Sequence, residues 1–377
     1  MSGEPRRIPS LDGLRGIAIL LVIPHNSDLY PGVKNWAFPF AVLTHAGWTG
    51  VQLFFVLSGF LITGALVDSR GSDNYYRAFF ARRVLRIFPL YFLVLVVFLL
   101  ILPRMVRLDP AIMATYSQQK WLWVFLSNWT QPFHGAVTWF PHFWSLAVEE
   151  QFYLIWPFVI AIMPPRYMLG LTAAVTLVAI ATRLTLHAMG YGAEVIYMFT
   201  TTRMDALAIG AATALLARRA GILDTLRQHQ DRGIVLVLVL ALASAAISHA
   251  FGTDNLGTIS IGYTLIALSA ALLLLTLRAG VGTNTWLERV FSNPLLRSCG
   301  RYSYAMYVFH MLLIQLLGSY LSGLLLPAGS FRPMLYSLTI ILLSYGLGWL
   351  SYRLYERHFL SLKRYFVPQC DGIHHGI

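Results

Sequence analysis

Two ionisable side chains, Arg15 and His25, bound an apolar run from Gly16 to Pro24 near the start of the chain. Read as a helix in lipid, rising about 1.5 Å per residue, the run puts His25 on the order of 15 Å from Arg15 and near the bilayer midplane. An imidazole at that depth is costly. It is expected to face a bundle interior or an aqueous cavity, where it can serve as an acid or base near neutrality. Pro24 removes a backbone donor and disfavours helical geometry at Ile23, which predicts a kink or opening just before the histidine.

Five further stretches set polar groups among apolar ones. In WTGVQLFFVLSGFLITGAL, Gln52, Ser58 and Thr63 alternate with glycines of the kind that let membrane helices approach closely. In FFARRVLRIFPLYF, Arg82 and Arg86 are four apart and Arg83 and Arg86 three apart, so they share a helix face. That face is either ordinary cytoplasmic charge or a grip for a phosphorylated co-substrate through planar guanidinium forks. HFWSLAVEEQFYLIWP places Glu149 and Glu150 at the head of an apolar helix, preceded by His142 and Ser145. Adjacent positions diverge by about 100°, so only one of the two glutamates can face a given cavity. TTTRMDALAIGAATAL carries Arg203 and Asp205, which at i,i+2 cannot pair with each other and need partners elsewhere, Arg183 and Glu194 being candidates. GRYSYAMYVFHMLL leads from Tyr302, Tyr304 and Tyr307 to His310, again at mid-membrane depth or else a satisfied core histidine.

The elements that position these groups follow from composition. The chain of 377 residues is 57% hydrophobic and 12% charged, with too little polar surface to cover a soluble protein. The fold class is all-α, a polytopic bundle in a membrane. Apolar runs long enough to cross it fall near 14–30, 48–67, 87–103, 145–163, 167–189, 197–217, 233–251, 259–278, 302–325 and 333–355. With both termini cytoplasmic, twenty of the 28 Lys and Arg lie in inner segments, while the outer loops hold only Lys34, Arg104, Arg107, Lys120 and Arg332. This asymmetry accounts for the net charge of +12 and leaves no basic domain for a nucleic acid. Cys299 and Cys370 fall on the inner side, where thiols stay reduced. The tryptophan-rich WLWVFLSNWT run in the outer segment is too short to span and reads as re-entrant or interfacial. One transmembrane domain over 1–365 is expected, with a short tail over 366–377 whose His374 and His375 read as disordered and not as metal ligands. No metal-binding spacing and no Walker sequence appears, which argues against an ATP-driven pump.

Read together, LDGLRGIAILL with His25, FFVLSGFLITG, ARRVLRIFP, SLAVEEQFYLIWP, TTRMDALAIGA and GRYSYAMYVFH resemble the acyltransferase-3 family of membrane-bound O-acyltransferases, over roughly residues 10–360. The resemblance implies a ten-helix enzyme of the bacterial inner (plasma) membrane. It would move an acyl group, commonly acetyl, from cytoplasmic acyl-CoA to a hydroxyl of a surface or lipid-linked glycan, with no metal. It also implies that Arg15 and His25 are essential, and carries functional roles onto Arg82, Arg83 or Arg86 and onto Glu149 and Glu150. Nine residues separate Arg15 from His25, one fewer than the family commonly has, and an opening at Pro24 would restore the direction of the imidazole. The family's last-helix motif, usually ending in proline, reads Glu356, Arg357, His358 here. Some relatives carry a fused extracytoplasmic domain that completes transfer; without one, transfer is expected to finish within the membrane domain.

The chemistry assigned on this basis is thioester to ester exchange. It needs a base for the hydroxyl and a donor or positive group for the oxyanion. The expected catalytic residues are His25, Glu149, Glu150 and His310, with a glutamate orienting His25. Arg15, Arg82, Arg83 and Arg86 are expected to hold the acyl-CoA phosphates, and Ser145, Arg203 and Asp205 to meet the acceptor from outside, in a channel with His25 between the two levels. A secondary transporter would use the same buried ionisable residues as a relay, although no internal repeat is visible. The sequence leaves the oligomeric state open.

The topology is testable by single cysteines and an impermeant thiol reagent. Cysteine at Asn35 or Gly329 is expected to label from outside and at Gly221 to be protected; the reverse pattern would remove the reason for an outer acceptor.

Overall fold

The computed structural model describes residues 8–28, 44–248, 252–325 and 331–369. Among these residues, ten long helices fall in order on the ten expected segments: α1 (Pro9–Asp28), α2 (Thr49–Asp68), α3 (Tyr75–Leu95), α4 (Trp144–Ile162), α5 (Pro165–Ala188), α6 (Thr200–Leu216), α7 (Gln230–Ile247), α8 (Tyr263–Ala279), α9 (Pro294–Leu324) and α10 (Arg332–Ser351). Among the described residues there is no strand. Eight of these helices are long and apolar enough to cross a membrane; α1, with Asp12, Arg15 and His25, and the 17-residue α6 are the two that are not. Both lie inside the bundle, α1 against α9 and α2, and α6 against α2, α5 and α8. The rim shows the opposite character, with Leu177 and Val178 of α5, Leu236, Val239 and Leu242 of α7, and Leu342 and Leu347 of α10 turned outward, as lipid requires.

Lipid offers no hydrophobic drive between helices, so association rests on close packing. Two glycine contacts supply it. At α1 and α9, a Cβ on Gly300 would collide with the Asp12 carbonyl, and one on Gly16 with the Leu296 carbonyl. At α2 and α6, Gly59 and Gly210 meet the carbonyls of Leu207 and Val56 in the same reciprocal way. The backbones touch, and every side chain nearby is placed by that contact.

Three differences from the expected segments matter for function. First, α1 stays helical across Pro24, so the expected opening before His25 is absent. The packing explains it: Gly47 sits on the His25 Cβ and Leu21 carbonyl, and Gly50 on the Ala18 carbonyl, clamping the last turns of α1 against the next segment. Second, α3 begins at Tyr75 and runs on through a π-helical turn (Val96–Ile101) to Met105, so the arginine face lies inside a spanning helix and not ahead of it. Third, α10 continues through a π-helical turn (Tyr352–Glu356) into the short helices Arg357–Ser361 and Leu362–Tyr365. The first residues of the expected tail are pinned to the start of α3, where Asn74 Nδ2 donates to the Val367 carbonyl at 2.9 Å and Gln369 N donates to Asn74 Oδ1 at 2.9 Å. Cys370, His374 and His375 lie outside the described residues.

The outer segment between α3 and α4 folds into short helices and dips into the bundle. Tyr91 of α3 donates to the Leu122 carbonyl at 2.8 Å, and the Phe125 ring, at a positive φ of 54°, stacks on Tyr91 at 4.4 Å between centroids. Asn128 and Gln151 tie this segment to the starts of α4 and α6. At the opposite end, Arg218 pairs with Asp68 at 2.6 Å and Arg70 donates to the Ala161 carbonyl at 3.2 Å, so helix ends expected on one side do meet there.

Replacing Gly300 by Ala is expected to force α1 from α9 and destabilise the protein by roughly 1–3 kcal/mol, the usual range for overpacking. Gly323→Ala, on the same helix with open space around it, should be neutral or slightly stabilising. Thermal denaturation of both variants in detergent checks the contrast; equal melting temperatures would show that α1 and α9 can repack.

Candidate functional site

At one end of the site, α1, α2, α3 and α4 bring arginines and glutamates together. Arg15 lies 3.6 Å from Asp12 and stays partly exposed. On α3, Arg82, Arg83 and Arg86 are all half-buried, and the Arg83 guanidinium sits over the rings of Phe79 and Tyr153 at 5.9 and 5.4 Å. Tyr153 and Ser58 donate to the two oxygens of Glu149 at 3.1 and 2.8 Å, fixing it in place. Arg83 and Arg15 are both within electrostatic reach of that carboxylate. Glu150, one position on, has a buried Oε1 with no hydrogen-bond partner. The arginines of α1 and α3, expected at the cytoplasmic surface, and the glutamates at the head of α4, the outer end of the fourth expected span, therefore meet at a single level. Helix lengths explain the change, since Glu149 lies in the second turn of α4 and Arg83 in the third of α3.

A second group forms around the histidines. His25 Nδ1 is 2.8 Å from the Thr44 carbonyl. A carbonyl only accepts, so Nδ1 carries the proton and Nε2 of the neutral ring is the basic nitrogen. A backbone carbonyl thus orients His25 through Nδ1; of the two glutamates weighed for orienting it, Glu149 is held by Ser58 and Tyr153. His310 of α9 is fully buried, its Nδ1 donating to the Tyr307 carbonyl at 2.6 Å and its Nε2 accepting from Asn26 Nδ2 at 2.8 Å. Both of its nitrogens are engaged, Nε2 by the residue next to His25. Ser145 lies 2.6 Å from the Tyr307 hydroxyl, which donates to the His142 carbonyl at 2.8 Å. The buried His142 ring rests edge-on against His310 at 4.8 Å between centroids, and neither of its nitrogens has a hydrogen-bond partner. Ser145 and Glu149 are i,i+4 on one face of α4, so the histidine group and the arginine–glutamate group share a continuous wall.

The third group explains α6. Asp205 is fully buried and bonded to Arg183 of α5 at 2.9 Å, with Thr264 donating to the same oxygen at 2.7 Å and the Ala206 N–H to the other at 2.9 Å. Arg183 is the partner that the i,i+2 spacing required; Glu194 is exposed. Arg203, also without exposure, donates to Gln52 Oε1 at 2.7 Å and lies over Tyr263 and Tyr197 at 4.4 and 4.8 Å, its Nε and Nη1 unpartnered. These contacts bind α6 to α2, α5 and α8.

Several participants escaped sequence reasoning. Ser58 was visible only as one small residue among glycines, and Asn26 as a neighbour of His25. Tyr153, four residues after Glu149, carried a helical-spacing signal that could have found it. Among the described residues no group of three or more His, Cys, Asp and Glu side chains is placed to hold a metal ion.

Residues 8–353 match the model of a family described as an acyltransferase domain, Acyl_transf_3. A chain of Staphylococcus aureus (strain COL), provisionally named an O-acetyltransferase, is 29% identical over 97% of this chain and 60% of its own length. One of Bacillus subtilis (strain 168), provisionally named a peptidoglycan O-acetyltransferase, is 34% identical over 56% of this chain and 33% of its own length. The peptidoglycan O-acetyltransferase OatA of Listeria monocytogenes is 27% identical over 82% of this chain and 50% of its own length. The chain thus spans at most about 60% of these curated relatives. No solved structure matches it.

Asp205→Asn strands the buried Arg183 charge and is expected to cost about 3–5 kcal/mol, as when one partner of a buried ion pair is removed. Folded yield and melting temperature in detergent check this. Normal melting with lost activity would instead assign Asp205 to the acceptor.

Proposed function

Because the chain belongs to the acyltransferase-3 family and carries, among the described residues, eight helices long and apolar enough to cross a membrane, we propose that it is an acyltransferase that moves an acetyl group from cytoplasmic acyl-CoA to a hydroxyl of an extracytoplasmic carbohydrate. The relatives named for peptidoglycan favour a cell-wall glycan as that carbohydrate. The observation that carries the reading is His25, whose tautomer is set by the Thr44 carbonyl so that Nε2 is the basic atom. An imidazole in that state is a general base near neutrality.

In this reading Nε2 takes the proton of the acceptor hydroxyl as its oxygen bonds to the thioester carbonyl carbon. The carbon–sulfur bond then breaks and the thiolate leaves, taking up a proton as free CoA. Asn26 and His310 act as positioning residues, because the Asn26–His310 bond fixes the turn of α1 that presents His25. Ser145 of α4 and Tyr307 of α9 hold the His142 backbone carbonyl. Arg15, Arg82, Arg83 and Arg86 hold the donor's phosphates, a role suited to half-buried guanidinium groups, with Arg15 next to Asp12 and Arg83 over aromatic rings. Glu149 limits the positive field beside them. Arg203 stays as the acceptor-side candidate through its unpartnered Nε and Nη1.

The purified protein is expected to release free thiol from acetyl-CoA in the presence of a glycan acceptor. His25→Gln should lower that rate by about 10²–10⁴-fold, the usual contribution of a general base, with folding intact. Arg83→Ala and Arg86→Ala should weaken acetyl-CoA binding about tenfold more than they slow turnover. Near-normal transfer in His25→Gln would remove the base assignment, and solute uptake without thiol release would support a transporter.

A further inference from the structure

We propose that Lys363, beyond the last long helix, is a phosphate-binding residue that closes the arginine face of α3 from the opposite side. The inference rests on the acyl-CoA reading and extends the site to a segment outside the family match, which ends at residue 353.

The geometry begins with two anchors. At one end, Tyr355 donates to the Pro89 carbonyl of α3 at 3.3 Å. At the other, Val367 and Gln369 are bonded to Asn74, and Arg77 lies over the Phe366 ring at 5.7 Å. The chain from 355 to 367 therefore runs back along α3 from Pro89 to Asn74, and the arginines at 82, 83 and 86 lie between those points. Lys363 is carried in the middle of this return, half-buried, on the short helix Leu362–Tyr365. Its charge is opposed by those of Arg86, Arg83, Arg82 and Arg15, so cations from three elements face one place.

Among the described residues the one ion pair in this set is that of Arg15 with Asp12, at 3.6 Å. Among the described residues Arg82, Arg83, Arg86 and Lys363 have no ion pair. The nearest carboxylates are Glu149, held by Ser58 and Tyr153, Glu150 beside it, and Glu356, which accepts from Ser351 at 2.9 Å and faces Arg86. Half-buried like charges repel one another unless an anion sits among them. A group with several negative oxygens, a phosphomonoester or diphosphate, satisfies guanidinium forks on one side and a compact ammonium on the other. The nucleotide part of CoA carries both kinds of phosphate; an anionic lipid headgroup offers the same chemistry from another source.

The test measures CoA affinity in neutral-lipid nanodiscs for the wild type, Lys363→Gln, Lys363→Arg and Arg364→Gln, the last an exposed neighbour stacked on Tyr365. Lys363→Gln is expected to weaken CoA binding about tenfold and raise KM with kcat unchanged, Lys363→Arg to recover most of the affinity, and Arg364→Gln to match wild type. Wild-type affinity in Lys363→Gln, with binding still lost in Arg86→Ala, would overturn the role of Lys363 while leaving the donor reading intact. An effect seen only when anionic lipid is added would assign Lys363 to headgroups and overturn the proposal. A folded wild type that binds no CoA would remove the donor reading, and this inference with it.

Discussion

The contact of α1 with α9 at Gly16 and Gly300 is the constraint on which the rest of the site depends. In lipid, two helices gain little by burying apolar side chains against each other, and they stay together where backbones can touch. That touch sets the rotation of α1. With the rotation fixed, Asn26 reaches His310 and His25 turns its Nδ1 to Thr44. A side chain at either glycine would displace the whole turn that carries the imidazole, although neither glycine lies near it in sequence.

The polar groups inside the bundle divide by how completely they are satisfied. Arg183, Asp205 and Thr264 bond to one another, with the Ala206 N–H completing the Asp205 carboxylate and the Arg183 Nε left over, and such a set holds helices together. The arginines of α3, the His142 ring and one oxygen of Glu150 lack such closure. Unsatisfied groups of this sort are destabilising by themselves.

How far the sequence could be read depended on the range of the interaction. Helix number and order follow from apolar run length, a local property, and so does the glutamate pair at the head of α4. The partner of Asp205 was also within reach, because i,i+2 spacing forbids the internal pair with Arg203 and Arg183 was close at hand. The meeting of Arg15 and Arg83 with Glu149 was not legible, since it depends on how deeply α3 and α4 each begin. Neither was the continuity of α1 across Pro24. Proline disfavours a helix locally, and only the clamp from Gly47 and Gly50 outweighs that preference.

The three π-helical turns among the described residues, at Val96–Ile101, Thr258–Gly262 and Tyr352–Glu356, have a consequence for comparing this chain with others. A π turn closes its hydrogen bonds over one more residue than an α turn, so everything after it is re-phased relative to what came before. A helical wheel drawn from α10 straight through to Tyr365 would assign the wrong side chains to the face that meets α3. Such a turn takes up one extra residue, so deleting one residue within Tyr352–Glu356 would restore a regular helix and leave Arg357, Lys363 and Arg364 on the face they now occupy. Between otherwise similar sequences, a single-residue gap at this point is therefore compatible with the same face being turned to α3.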